Sequence, residues 1–222
     1  MSGPARAILA CFALLPIAAQ AADDAPGSNK IVRGSPIELV ATAHSLAQVA
    51  RSDRNPLGLL VAAEMRQRVG VRQADRRPDQ APGDPQVVEA GADSVEGLLA
   101  EAMTLSGKDP TIAALADDIL ASATKGRVST IAVSVATATA NGTDWYRKQK
   151  FEGTRYAEAY VELLGQGGLN IYVYDDAGNL VCRDVSPSAS AYCGWTPLRT
   201  GAFDIKVENR TDGAVRYRLS TN

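Results

Sequence analysis

The hydrophobic period of this chain changes once, at Val128, and that change limits the fold more than any other feature. Before it, apolar residues recur at i, i+3 and i+4, the spacing of one helix face. After it they alternate with polar ones, the period of a strand with one side on a core. Helices first and strands afterwards make an α+β chain. The reading is two domains, a helical one over 35–126 and an antiparallel β-sandwich or jelly roll over 127–222, with about two hundred residues to supply both cores.

The strand-forming part opens with VSTIAVSVATATA and continues through WYRKQKF, YAEAYVELL, LNIYVYD, NLVCRD, AYCGW, AFDIKVEN and VRYRLST. Seven or eight short β-rich segments separated by Gly, Asn, Asp and Pro turns predict two facing antiparallel layers. The clearest stretch is Gly168 to Cys182, a strand, a tight turn and a return strand. Alternation sends Leu169, Ile171 and Val173 to one face and Asn170, Tyr172 and Tyr174 to the other, so the aliphatic set is expected inside. An outward Tyr172 and Tyr174 suit a ligand face for sugar or peptide, and equally cross-strand packing. In DDAGN, Asp175, Asp176 and Asn179 can gather round a calcium ion, but a hairpin turn with Gly178 at positive φ accounts for every letter. A cation site is therefore the weaker reading, and no cofactor is expected.

In the amino-terminal half, Ser35-Pro36-Ile37-Glu38 combines an N-cap, a first-turn proline and a glutamate three residues after the cap. Leu39, Ala43, Leu46 and Ala50 then share a face. Asn55-Pro56 starts a second helix expected to stop at Gly70. Residues 72–93, rich in proline, glycine and charge, predict a mobile loop. Ser94 caps a third helix with Leu98, Ala102 and Leu105 along one side. Asp109-Pro110 opens a fourth, whose Ile112, Leu115, Ala116, Ile119 and Leu120 form the clearest amphipathic stripe of the chain, with Lys125-Gly126 at its end. Leu46 to Pro56 and Leu99 to Pro110 look alike, as two αα-hairpins would. Two repeats are fewer than a solenoid needs, so an alanine-packed four-helix bundle is preferred to a tetratricopeptide-like binding array.

Residues 1–21 read as a signal peptide. Arg6 precedes an apolar run from Ala7 to Ala19 that is too short for a bilayer span, and Ala19-Gln20-Ala21 has the small-x-small form of a cleavage site. Residues 22–34 read as a flexible leader, and the mature chain is expected in the periplasm or outside the cell. Cys11 leaves with the signal, so Cys182 and Cys193 remain, a pair that an oxidising compartment turns into a disulfide. A formal net charge of −2 with no basic stripe speaks against nucleic acid, and no later segment is a membrane span.

Two runs, FEGTRYAEAYVELLGQGGLNIYVYDDAGNLV and CGWTPLRTGAFDIKVENRTDGAVRYRLSTN, resemble the bacterial pre-peptidase C-terminal domain over residues 151–222. The matching features are Phe151 and Gly153, the YVYDDAGNLV hairpin, Trp195-Thr196-Pro197, Gly201-Ala202-Phe203, Val207-Glu208-Asn209 and Tyr217-Arg218-Leu219. The resemblance implies a β-sandwich module of the kind attached to secreted proteases and other exported proteins. Some members of that family bind calcium through acids on the strand before the hairpin, where this chain has Gly168 and Asn170. The helical half lies outside the resemblance.

No assembled catalytic group is visible. His44 is the sole histidine, beside the apolar stripe of the first helix, and reads as structural. Glu96 with Glu101 and Asp117 with Asp118 read as surface charge on helices. The expectation is an exported, non-enzymatic binding or accessory protein. Its sandwich would give stability or adhesion, and its helices would meet a protein or surface-polymer partner. The alternative is a hydrolase with a carboxylate or Ser-Lys site between the halves.

Overall fold

In a computed structural model of the chain, the structure describes residues 31, 33–79, 93–122, 129–186 and 188–222. The expected signal at 1–21, most of the leader at 22–34, residues 80–92 of the expected loop and Lys125-Gly126 lie outside the described residues. Four helices, α1 (Pro36–Ser52), α2 (Pro56–Gln67), α3 (Val95–Leu105) and α4 (Pro110–Ala121), accompany nine strands in two sheets. The strands are β1 (Val69–Gln73), β2 (Ser129–Ala138), β3 (Thr143–Phe151), β4 (Ala157–Leu163), β5 (Leu169–Tyr174), β6 (Leu180–Asp184), β7 (Ser190–Trp195), β8 (Gly201–Asn209) and β9 (Val215–Thr221).

Each helix starts where its cap residue requires. The side chains of Ser35, Asn55, Ser94 and Asp109 accept first-turn backbone N–H groups that would otherwise be unpaired, and proline follows three of the four caps. The helices pack through small side chains, among them Ala43, Ala47, Ala62, Ala63 and Ala102. Gly58 marks the closest approach of α2 to α1, since a Cβ there would lie 2.8 Å from that of Ala50.

One sheet has the order β1-β2-β9-β4-β7 and the other β3-β8-β5-β6. Their inward side chains, among them Val161, Ile171, Ile205 and Leu219, form a shared core. Phe151, Trp195 and Phe203 close one part of it, with ring centroids 4.7 to 5.8 Å apart. Leu169, Ile171 and Val173 are buried, as the alternation requires. Cys182 on β6 and Cys193 on β7 are disulfide-bonded and join the two sheets, with a Cα–Cα distance of 5.7 Å.

Two expectations are corrected. The second helix stops at Gln67, and Val69–Gln73 forms a strand that pairs in parallel with β2, so the five-stranded sheet is mixed and the chain has one strand more than expected. The connection from β1 to β2 passes through α3 and α4, the long crossover a parallel pair needs. Residues 74–79, placed in a mobile loop from sequence, instead tie the sheets together. Ala74 N–H donates to Val133 O and Asp79 N–H to Trp145 O. The Arg76 guanidinium donates to Ser134 Oγ, Thr221 Oγ1 and the carbonyls of Ala132 and Leu219. Burial lowers Arg76 to about 10.

The outer face of the five-stranded sheet is covered by α1. Ile37, Val40 and Ala41 lie on Ile131, Val133, Tyr160 and Tyr192, while Ala43, Ala47 and Ala50 of the same helix face the other helices. The molecule is thus layered as helices, five-stranded sheet and four-stranded sheet, and among the described residues the outer face of the last is left uncovered.

Reducing the disulfide, or Cys182→Ser, should lower the stability of the purified protein by about 2 to 3 kcal/mol, the effect of opening a short loop. Thermal unfolding with and without reductant measures this. An unchanged midpoint together with titratable thiols in the native protein would contradict it.

Candidate functional site

Two polar assemblies stand out, one buried under the helices and one on the open sheet. The buried one begins with alternation in β4. Ala159, Val161 and Leu163 point to the core, so Glu158, Tyr160 and Glu162 point to the face that α1 covers. Glu162, 0% exposed, is directly opposite Arg218 on β9. Arg218 Nη1 donates to Glu162 Oε1, and Arg66 from α2 donates to both carboxylate oxygens at 2.9 and 2.8 Å. His44 Nδ1 lies 2.8 Å from Asp93 Oδ2, and because a carboxylate only accepts, this nitrogen carries the proton. Arg51 reaches Asp93 at 2.8 Å and Glu101 at 2.9 Å.

Burial alone would raise Asp93 and Glu162. In Asp93 the His44 hydrogen bond and the Arg66 and Arg51 charges outweigh it and hold the carboxyl well below the usual carboxylate range. In Glu162 the Arg66 and Arg218 charges likewise outweigh burial and lower the carboxyl. A second tie fastens the start of α1. Ser35 Oγ accepts Glu38 N–H and donates to Glu158 Oε1, which also accepts Tyr192 OH at 3.0 Å. Burial dominates at Glu158 and raises it. Through Nδ1, His44 meets Asp93 at 2.8 Å and Glu162 at 3.6 Å. It forms part of a latch whose Asp93, Glu162, Arg66 and Arg218 are all buried, a closed arrangement that holds layers together.

The open assembly lies on the four-stranded sheet. The pairings Trp145↔Lys206 and Tyr172↔Lys206 align β3, β8 and β5 so that these side chains form one outward row. Trp145 and Tyr174 lean together over β8 with centroids 5.5 Å apart. A register shift between Tyr146 and Gln149, with Lys148 at φ 54, is a bulge that re-aims the edge strand. Beside it the Arg147 guanidinium lies 3.8 Å above the Trp145 ring, and Lys206 Nζ lies 4.4 Å from the centroid of Tyr172. Both cations are charge-compensated: Arg147 by Asp204 at 2.8 Å and Asp79 at 3.0 Å, Lys206 by Glu208 at 2.5 Å. Glu208 also accepts Tyr172 OH at 3.0 Å and Asn170 Nδ2 at 3.2 Å. Burial, the Glu208 hydrogen bond and its charge raise Tyr172. Ring faces and polar edges are thus presented beside two compensated cations, while Arg183, opposite Tyr172 on β6, adds an exposed positive charge to the same row.

The tyrosines expected as a ligand face therefore sit together, half-buried and pointing outward. Trp145, Arg147, Lys206 and Glu208 complete the set. The alternation of TDWYRKQKF already puts Trp145 and Arg147 on one side of β3, but joining that side to the tyrosines requires the strand order. In the hairpin, Asp175 accepts the N–H groups of Ala177 and Asn179 and the Asn179 side-chain amide, and Gly178 has φ 84. Asp176 faces Arg199 at 3.4 Å. These are the bonds of a turn, with Asp175 and Asn179 spent on each other. Among the described residues there is no group of three or more metal-ligating side chains.

Glu162→Gln should cost about 3 to 5 kcal/mol at neutral pH, because it leaves two arginines buried against a neutral amide. The depressed Asp93 and Glu162 carboxyls stabilise the fold above the ordinary carboxylate range, and that contribution is lost as the pH falls through their folded-state values. The deficit of the variant should therefore narrow below pH ~4. Denaturant unfolding across pH tests this, and a deficit that stays constant would contradict it.

No protein-family model matches the chain, and no curated protein matches it. Among solved structures, the chain is similar to the pre-peptidase C-terminal domain of a collagenase from Bacillus anthracis. The identity is 14%, covering 40% of this chain and 87% of that one, with a TM-score of 0.34. It is also similar to the mitogen of Yersinia pseudotuberculosis, at 17% identity, 41% and 84% coverage and a TM-score of 0.31. A third similar structure is PliG from Aeromonas hydrophila, a periplasmic inhibitor of g-type lysozyme, at 14% identity, 41% and 84% coverage and a TM-score of 0.32.

Proposed function

We propose that this chain is an exported, non-enzymatic binding or accessory protein. In this reading the open face of its four-stranded sheet holds a surface polymer, and its helices meet a protein. The observation that carries the reading is the outward row of Trp145, Lys206 and Tyr172 with Tyr174 alongside. Aromatic faces flanked by hydrogen-bonding edges suit the apolar ring faces and hydroxyl rims of sugars. Because Asp204, Asp79 and Glu208 already compensate Arg147 and Lys206, the aromatic platform itself suits a neutral polysaccharide, with the exposed Arg183 on its β6 side as the remaining cation of the row. Export is supported by the apolar amino-terminal run with its Ala19-Gln20-Ala21 site and by the disulfide. Action without a metal or cofactor is part of the same reading. The hydrolase alternative has less support, because the titratable groups between helices and sheet are buried and committed to one another.

The purified chain from residue 22 onward should bind neutral polysaccharides on a glycan array, with a change in tryptophan emission. Trp145 is half-buried on the face while Trp195 is buried in the core, so the change should vanish in Trp145→Ala. Tyr172→Ala should weaken binding by up to ~10-fold, the upper end for one aromatic contact. Binding that is absent across neutral glycans, or indifferent to Trp145→Ala, would refute the platform.

A further inference from the structure

The fourth helix is less buried than its sequence leads one to expect. Of its amphipathic stripe only Ile112 and Ala116 are buried, while Leu115 is 40% and Leu120 46% exposed. Across from α4, Leu57 and Val61 of α2 are 53% and 47% exposed. Between the two helices runs an open apolar groove of about 500 Å³, with Glu64 and Asp118 at its rim. On the other side of α4 a smaller cleft of about 270 Å³ against α3 is edged by Glu96 and Asp117. Among the described residues, no basic side chain lines either groove.

We infer that the groove between α2 and α4 docks an amphipathic helix of a protein partner whose apolar stripe is flanked by Lys and Arg. The inference rests on the binding-protein reading and names the chemistry of its protein partner. Leu57 with Val61, and Leu115 with Ile119, are i, i+4 pairs forming two ridges along the groove, the surface into which a helix lays its apolar stripe. The charge selects the occupant. A second copy of this chain on a two-fold axis would set acidic rim against acidic rim. An anionic lipid surface would meet the same repulsion. The chain's own segment 80–92 carries Asp84 and Glu89 but no Lys or Arg, so it supplies no countercharge. A basic-flanked helix covers Leu57 and Leu115 and places cations beside Glu64 and Asp118.

The test is selection of the purified chain against a displayed peptide library with a fixed leucine stripe at i, i+3, i+4 and i+7 and randomised flanks. Selected peptides should be enriched in Lys and Arg flanks and bind ~10-fold or more above their Glu-flanked counterparts, the sum of a few exposed charge pairs. That margin should shrink with added salt. Val61→Ser with Leu115→Ser, both solvent-exposed positions, should abolish selection without moving the melting temperature. Glu64→Lys with Asp118→Lys should turn the enrichment toward acidic flanks. Equal enrichment of both flank types, failure to enrich any, or selection indifferent to the charge reversal would overturn the inference. So would co-sedimentation with phosphatidylglycerol vesicles, or a dimer in sedimentation velocity that Leu115→Ser dissolves. Glycan binding through Trp145 is read in the same preparations, so loss of the groove and loss of the sheet face are told apart.

Discussion

The junction depends on a carboxylate that water cannot reach. Removing Glu162 from solvent costs several kcal/mol for that ion alone. The cost is offset only because Arg66 grips both oxygens while Arg218 completes the charge from the neighbouring strand. This requirement is positional. Arg66 has to be on α2, and α2 has to lie over β4, before the ion is satisfied. A purely apolar contact tolerates sliding, whereas a forked guanidinium on a carboxylate does not. Asp93 adds the start of α3 to the same cluster through His44 and Arg51. The latch thereby fixes the register between helices and sheet, while the alanine and aliphatic contacts supply most of the burial.

Local signals were legible where one residue decides one backbone bond. Ser35, Asn55, Ser94 and Asp109 marked the helix starts because an oxygen at the cap accepts a specific N–H. Leu169, Ile171 and Val173 declared their face because a strand repeats every two residues. The segment VGVRQ gave no such signal. It follows a helix directly, has only two buried residues, and becomes a strand because β2 offers an edge sixty residues later in the chain. Glu158 and Glu162 were misleading in another way. Their alternation with small apolar residues is that of a water-facing side, and only the arrival of α1 converts that side into an interior. The outward aromatics suffered the same lack of long-range information, since Trp145 and Tyr172 are neighbours only through the order β3-β8-β5.

The stripe on α4 shows the limit of periodicity from the opposite direction. Its spacing correctly reports a helix with one greasy side, yet a greasy side need not be satisfied within the chain. Ile112 and Ala116 are covered by the bundle, whereas Leu115 and Leu120 are left in the open. Hydrophobic periodicity therefore states which residues seek cover and does not state what covers them.

The layering decides where partners can act. The five-stranded sheet is covered on one side by α1 and on the other by the shared core, so it has no face to offer and serves as the stiff middle of the molecule. In the proposed reading, recognition is left to the two outsides, the aromatic row of the four-stranded sheet and the groove beside α4. These surfaces differ in kind. On the sheet, Arg147 and Lys206 are cancelled by Asp204, Asp79 and Glu208, so the proposed contact there depends mainly on ring faces, with Arg183 of β6 the exposed cation of the row. Beside α4 the acids Glu64 and Asp118 are not cancelled by any basic residue lining the groove among those described, so contact there carries a screened electrostatic component that falls as salt rises. A molecule with this division can hold a polymer on one side and a basic helix on the other. The Glu162 latch is what keeps those two surfaces at a fixed separation.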